Sequence, residues 1–316
     1  MNTDVKTPNT SLVWIAYLAV FLGVCGHASS EFFVKLSGLQ GAEISVWRFF
    51  IGGLALVLVA LLNPSSRNLL APLRQDFWPI MSLSIGGMAL AQFMFHLALD
   101  YASIVQVATL VTTMPILVVF VARVVEGSDI TVPKLVSGVG AFLGCVLLLT
   151  DGYLGQLDTD NATLLGIALS LGCSGLGALY IVLVRPYVAR HGAIRMTTYT
   201  FAFGALILWC VVGIAWGSWV DPFTLMDRPA VNAGAILALG VWNTCIGFIL
   251  WLWGLGNIPD AARGNYLFFL KPVIAALLAV FILDDEITWI QIAAIVSIVG
   301  FVAAEVFFDQ LRALLR

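Results

Sequence analysis

The sequence predicts an all-α integral membrane protein in which ten transmembrane helices form two inverted five-helix repeats around a central cavity. Three observations lead there: an apolar composition broken at intervals by turn residues, a one-sided distribution of Lys and Arg among the breaks, and motifs of the first half that return in the second.

Of 316 residues, 61% are hydrophobic and 10% are charged, whereas soluble domains carry charge on about 25% of residues. Water cannot wet so sparsely charged a surface, so the lipid bilayer is the expected partner. The net charge of −3 says little about other partners. Without a basic block or aromatic-basic interleaving, nucleic acid is excluded. The cysteines Cys25, Cys145, Cys173, Cys210 and Cys245 all fall in apolar runs, with no CxxC pair and no His at ligand spacing. They are expected as packing residues, with no metal and no cofactor. Residues 1–11 are a short polar tail. The apolar run after them is too long for a signal-peptide core and has no clear cleavage site, so it is expected to remain as the first helix.

A helix needs about 20 apolar residues to cross hydrocarbon with its backbone satisfied internally. Ten stretches qualify: 12–36, 44–62, 77–100, 102–124, 134–149, 164–184, 196–216, 232–255, 261–283 and 289–307. Turn chemistry separates them at Asn63-Pro64-Ser65-Ser66, Gly127-Ser128-Asp129, 158–161, Asp221-Pro222 and Asp284-Asp285. The resulting organisation is a tail (1–11), a first repeat (12–150), an external linker (151–162), a second repeat (163–307) and a second tail (308–316).

Orientation follows from the rule that short cytoplasmic loops retain Lys and Arg. With the loops numbered alternately, one side receives Lys6, Arg67, Arg74, Arg123, Lys134, Arg185, Arg190, Arg195, Arg263, Arg312 and Arg316. The other receives only Lys35 and Arg228, and Arg48 and Lys271 fall within spans. Both termini are therefore expected in the cytoplasm, with Asp151, Asp158, Asp160 and Asp284 to Glu286 outside. A missing or surplus helix would scramble this bias, so it also supports the count of ten.

The halves resemble each other. Leu22-Gly23-x-x-Gly26 returns as Leu171-Gly172-x-x-Gly175, and Trp47-x-Phe49-x-x-Gly52-x-Leu54-x-Leu56 returns as Tyr199-x-Phe201-x-x-Gly204-x-Leu206-x-Leu208. Pro115 and Asp129-Ile130-Thr131 return, each 157 positions later, as Pro272 and Glu286-Ile287-Thr288. Five crossings is an odd number, so the second copy is expected upside down relative to the first. That layout serves alternating access in secondary transporters.

In the order of these motifs, the prolines of the fourth and ninth helices and the glycines of the fifth and tenth, residues 13 to 306 resemble the EamA-type drug/metabolite transporters. Within them the resemblance is nearest to bacterial amino-acid exporters, including the aromatic amino-acid group. The resemblance implies a ten-helix basket in which helices 5 and 10 are peripheral and the others line a central cavity. It implies a transporter, not an enzyme, that exports small amino acids, neutral and aromatic, or related metabolites across a bacterial inner membrane, acting as a monomer. A multidrug or nucleotide-sugar-like carrier is the alternative substrate branch.

Candidate site residues follow from the cost of polar groups in lipid, which by default face a cavity. Pro115 and Pro272 lie mid-span and deprive the carbonyls of Val111 and Phe268 of their helical donors, which predicts hinges beside the substrate path. Gln92 and His96 share a helix face with Phe95 beside them. The exporters place polar and aromatic site residues here, so substrate contact is expected, with His96 a possible proton carrier. Before the helix 4 proline the aromatic exporters carry aromatic-x-aromatic-Pro. This chain reads Thr112-Thr113-Met114-Pro115, a smaller and softer wall that argues for a broader neutral range. In the second half, Asn265 and Tyr266 are expected to bind substrate, and Lys271 either to attract a carboxylate or to pair with an acid. His27, Glu31 and Lys35 recur every four residues as a polar stripe. Glu31 and Lys35 suit an ion pair that Arg48 would join, forming either a solvated rim or an outer gate. Trp242 and Asn243 of helix 8 are further cavity candidates, and Glu305 is expected to be wet.

Two readings from other classes compete. Gly172-Cys173-Ser174-Gly175 matches the G-x-S-G string of an intramembrane protease, but its repeat mate carries Cys25 at the serine position, so close glycine packing explains it better. A sensor without transport would need a soluble domain or long tail to signal through. No G-x-x-x-x-G-K-[ST] string supports pumping by ATP.

Overall fold

A computed structural model describes residues 10–153, 161–283, 286–308 and 310. Among these are ten helices long and apolar enough to cross a membrane: α1 (Ser11–Ser37), α2 (Gly41–Leu62), α3 (Leu70–Ala98), α4 (Val105–Glu126), α5 (Val132–Thr150), α6 (Leu164–His191), α7 (Ala193–Trp216), α8 (Ala230–Asn257), α9 (Ala261–Ile282) and α10 (Trp289–Val306). Lys6, Asp158, Asp160, Arg312, Arg316 and the Asp284-Asp285 break lie outside the described residues.

Two boundaries depart from expectation for one reason. Helix α3 begins at Leu70 rather than 77, and α6 runs through Pro186 to His191 rather than ending at 184. Asp76 on the α3 extension accepts from Arg190 at 2.8 Å and lies 2.7 Å from His191 on the α6 extension. Hydropathy marks where hydrocarbon ends, and paired charges carry the helices beyond that point.

Helix pairing is symmetric under exchange of the halves. Helix α1 packs on α8 as α6 packs on α3, and α2 meets α8 as α7 meets α3. Contacts of α1 with α9 match those of α6 with α4, while α2 with α7 and α5 with α10 are each self-matched. Glycines set the closest approaches. A Cβ on Gly23 would lie 2.7 Å from the Cβ of Trp251 and 2.8 Å from the carbonyl of Gly247. One on Gly254 would lie 2.6 Å from the carbonyl of Ala16.

Five helices are locally broken. Helix α1 is interrupted at Ser29, α4 turns at Thr112-Thr113, and α9 passes through a 3₁₀ stretch at Tyr266–Phe269. Helices α3 and α8 each contain an eight-residue π-helical stretch, Ser82–Ala89 and Leu239–Ile246. Such stretches concentrate at functional sites, and here they occupy equivalent helices of the two halves.

Candidate functional site

The two proline breaks converge. Pro115 opens the second part of α4, and Pro272 follows the 3₁₀ turn of α9. Val111 and Met114 before the first proline, and Phe268 and Lys271 before the second, line one small hollow in the bundle centre. Each pair is related by the 157-residue repeat offset, so both halves present the same two positions to the same space. The hollow measures about 40 Å³ and is completed by His27 and Ser30 of α1, Arg48 of α2, Gln92 and Phe95 of α3, and Cys173 of α6. A neighbouring hollow of about 30 Å³ shares His27, Gln92, Met114, Cys173 and Phe268 with it and adds Phe248 and Trp251 of α8. Among the described residues, none of α5, α7 or α10 lines either hollow.

Polar groups meet here in fixed geometry. The buried guanidinium of Arg48 donates from Nε to Thr244 Oγ1 at 3.1 Å and from Nη1 to Gln92 Oε1 at 3.0 Å, with Phe248 5.9 Å away. The ring of His27 is held edge-on by Phe248 and Trp251, at 4.5 and 5.3 Å.

Lys271 Nζ lies 2.5 Å from Glu31 Oε1 and 5.2 Å from the Phe95 ring centre. The expected Glu31/Lys35 pairing is therefore corrected, because Glu31 turns inward to α9 while Lys35 stays exposed. Beyond this pair a cleft of about 480 Å³ opens between the last turns of α1 and α3 and the second half of α9. Glu31, Lys35 and His96 line it among mostly apolar neighbours. Ser30 and Phe95 line both cleft and inner hollow, so with the Glu31/Lys271 pair they form the partition between them. The cleft is larger, yet polar side chains converge on the inner hollow, and convergent polar groups are what orient a solute.

The opposite end is stitched shut. Arg185 of α6 reaches Glu126 of α4 at 2.9 Å and the carbonyl of Ile258 at 3.0 Å. Lys134 of α5 reaches Asp260 at 2.5 Å, and Arg263 of α9 reaches Glu305 of α10 at 3.2 Å. Glu305, expected to be wet, is 1% exposed, because its ion pair folds it into the bundle.

Other sequence-predicted residues sit away from the hollow. Tyr266 donates to the carbonyl of Lys134 at 2.5 Å and is buried against α5. Asn265 is fully buried and lines none of the three cavities. The Thr112 hydroxyl closes its own turn on the Thr109 carbonyl at 2.6 Å. Trp242 donates to Ser29 Oγ at 3.0 Å and Asn243 donates to the Gly26 carbonyl, tying α8 to the break in α1. His96 is 2.5 Å from Ser45 Oγ of α2 and faces the cleft rather than the hollow. Gln92, Phe95, Met114, His27 and Lys271 are brought together. Sequence reasoning missed Arg48 as a site residue, and with it Ser30, Cys173, Phe248 and Trp251. A charged residue within a span was the available signal for Arg48, which was expected to join Glu31 and Lys35 and instead bonds to Thr244 and Gln92. Ser174 of the G-x-S-G string donates to the carbonyls of Leu110 and Ser170, as a helix-packing hydroxyl does.

Tyr266→Phe is expected to remove one net hydrogen bond of about 1 kcal/mol. It should lower the melting temperature while leaving the half-saturating solute concentration of transport unchanged; a large rise in that concentration would place Tyr266 on the solute path.

Comparison with known proteins is consistent throughout the chain. The model of the EamA-like transporter family matches twice, at residues 10–150 and 164–304. The uncharacterized transporter YyaM of Bacillus subtilis is 25% identical over 261 residues, covering 82% of this chain and 83% of its own. The threonine/homoserine exporter RhtA of Salmonella typhimurium is 27% identical over 292 residues, covering 91% and 90%. A solved crystal structure superposes with a TM-score of 0.79 at 21% identity, over 96% of this chain and 98% of its own. The family and relatives' names indicate a transporter rather than an enzyme.

Proposed function

Because the chain belongs to the EamA-like transporter family, we propose that it exports small amino acids or related metabolites across the bacterial inner membrane by alternating access. The observation that carries this reading is the central hollow to which both halves contribute the residues before their prolines. Ten crossings divided equally invert the second half, and two such halves exchanging shapes expose one pocket to each side in turn. The Lys and Arg bias of the loops supports cytoplasmic termini, and in that orientation the stitched end faces inward and the cleft outward. In this reading the conformation is closed inward, with the partition of Ser30, Phe95 and the Glu31/Lys271 pair between hollow and cleft.

At about 40 Å³ the hollow has room for only a few water molecules, so a solute would enter as the flexible Met114 withdraws. Gln92 offers hydrogen bonds, while Phe95, Phe268 and Trp251 supply apolar walls. Similarity to a threonine/homoserine exporter supports the same substrate class.

Counterflow in proteoliposomes with a panel of labelled amino acids, nucleosides and sugars tests the reading. Threonine, homoserine and other small neutral amino acids are expected to accumulate. Exclusion of every amino acid while a nucleotide sugar or cationic drug passed would overturn it. Gln92→Ala is expected to raise the half-saturating concentration about fivefold, from a hydrogen bond of about 1 kcal/mol. No change would remove Gln92 from the site.

Cys173 reports the closed end directly. With Cys25 and Cys210 replaced by alanine, Cys173 lines the hollow while Cys145 and Cys245 remain buried elsewhere. Arg185→Ala is expected to speed labelling of Cys173 severalfold by an impermeant thiol reagent added on the cytoplasmic side. Unchanged labelling would show that the Arg185/Glu126 pair does not hold that end shut.

A further inference from the structure

Arg48 is 3% exposed, yet among the described residues no carboxylate lies within ion-pair distance of it. Its two hydrogen bonds go to neutral oxygens, those of Thr244 and Gln92, and Nη2 has no partner among the described residues. Lys271 brings a second cation to the same hollow and Glu31 one carboxylate, already committed to Lys271 at 2.5 Å. His27, boxed by aromatic rings, adds no negative charge. The hollow therefore holds one more positive charge than negative. Removing an ion from water costs several kcal/mol unless it is paired with good geometry. In a chain with so few charges, that cost calls for a compensating anion from outside.

We infer that Arg48 is the anion-binding residue of the central hollow and that it selects solutes bearing a carboxylate. The planar guanidinium presents parallel N–H donors that match a carboxylate's two oxygens. Gln92 and Thr244 hold the guanidinium from two sides and fix its plane before the solute arrives. Lys271, the other cation, is neutralised by Glu31 and guards the entrance. This inference rests on the proposed transport of amino acids and names the group by which they are held.

The test uses the purified full chain in detergent and thermal stabilisation by matched solutes: L-threonine against L-threoninamide, and lactate against lactamide, with inorganic phosphate as a further probe. Each carboxylate is expected to stabilise at concentrations at least tenfold below those of its amide. Arg48→Gln is expected to erase that difference, and Arg48→Lys, which keeps charge but loses the fork, to reduce it. Should Arg48→Gln fail to fold, the wild-type comparison and Arg48→Lys still decide. Equal potency of acid and amide, a preference retained in Arg48→Gln, stabilisation by no carboxylate, or phosphate acting below the carboxylates would each overturn the inference. Liposome flux separates it from the reading beneath it. Threoninamide crossing as well as threonine would end the Arg48 inference and leave the transporter. Carboxylates binding through Arg48 while no amino acid crossed would end the amino-acid reading and leave Arg48.

Discussion

Lys271→Gln is expected to cut counterflow at least tenfold, Glu31→Gln to do the same, and the double substitution to recover much of the loss. The side chains are 12% and 33% exposed and lie 2.5 Å apart, at the partition between hollow and cleft. Removing one partner of a buried ion pair costs about 3–5 kcal/mol, because the other is left charged and uncompensated. With Glu31 a third exposed, the lower end applies here, about 3 kcal/mol. Since each 1.4 kcal/mol is a factor of about ten, the balance between closed and open partition would move by about a hundredfold, more than enough to limit turnover. Neutralising both removes the orphaned charge, so the losses should be strongly non-additive in a double-mutant cycle. Losses that simply added would show that the two side chains act separately and that the partition is not built on their pairing.

Gly23→Ala is expected to be among the most destabilising single-methyl additions in the molecule, while the same change at Gly175 is neutral or slightly stabilising. At Gly23 the new carbon meets the Trp251 amide at 2.9 Å in addition to the Trp251 Cβ and the Gly247 carbonyl, none of which is a flexible side-chain tip. The α1/α8 crossing must widen, and overpacking of this kind costs about 1–3 kcal/mol. Gly175 has nothing within 4 Å of its would-be Cβ, so alanine there brings only its better helix propensity, about 0.5–1 kcal/mol. Gly172, the repeat mate of Gly23, meets the terminal methyl of Met94, which can swing away, so its cost should be intermediate. Thermal unfolding of the three variants in detergent checks the order. Equal effects at Gly23 and Gly175 would show that α1 and α8 are not locked by their glycines.

Much of the fold was legible because lipid imposes a simple rule. Any stretch such as 44–62 or 196–216, long, apolar and flanked by turn residues, has few alternatives to crossing. The repeat was legible because Pro115 and Pro272 break their helices in equivalent places, and a proline is visible in sequence. The site was only partly legible. Gln92, Phe95 and Met114 lie near a proline or on a polar face, and they reached the hollow. Tyr266 sits five residues before the hollow-lining Lys271, yet the 3₁₀ turn between them rotates its ring onto α5, a change of helical phase that spacing alone does not reveal. The π-helical stretches of α3 and α8 carry no proline to announce them. Because they lie within continuous helices, assigning faces by 3.6-residue periodicity fails inside them, as with Trp242 and Asn243. Pairing across helices was the other blind spot, since Glu31 looked toward Lys35 in sequence and toward Lys271 in space.

The self-matched contacts of α2 with α7 and of α5 with α10 have an evolutionary corollary. An interface that maps onto itself when the halves trade places is one that a polypeptide of half this length could offer to another molecule of its own kind. An ancestral gene encoding five crossings would thus have needed no new binding surface to assemble in pairs. Fusing two such genes would have added a tether and, more usefully, the freedom for each copy to drift. That drift is visible where methionine stands before one proline and lysine before the other.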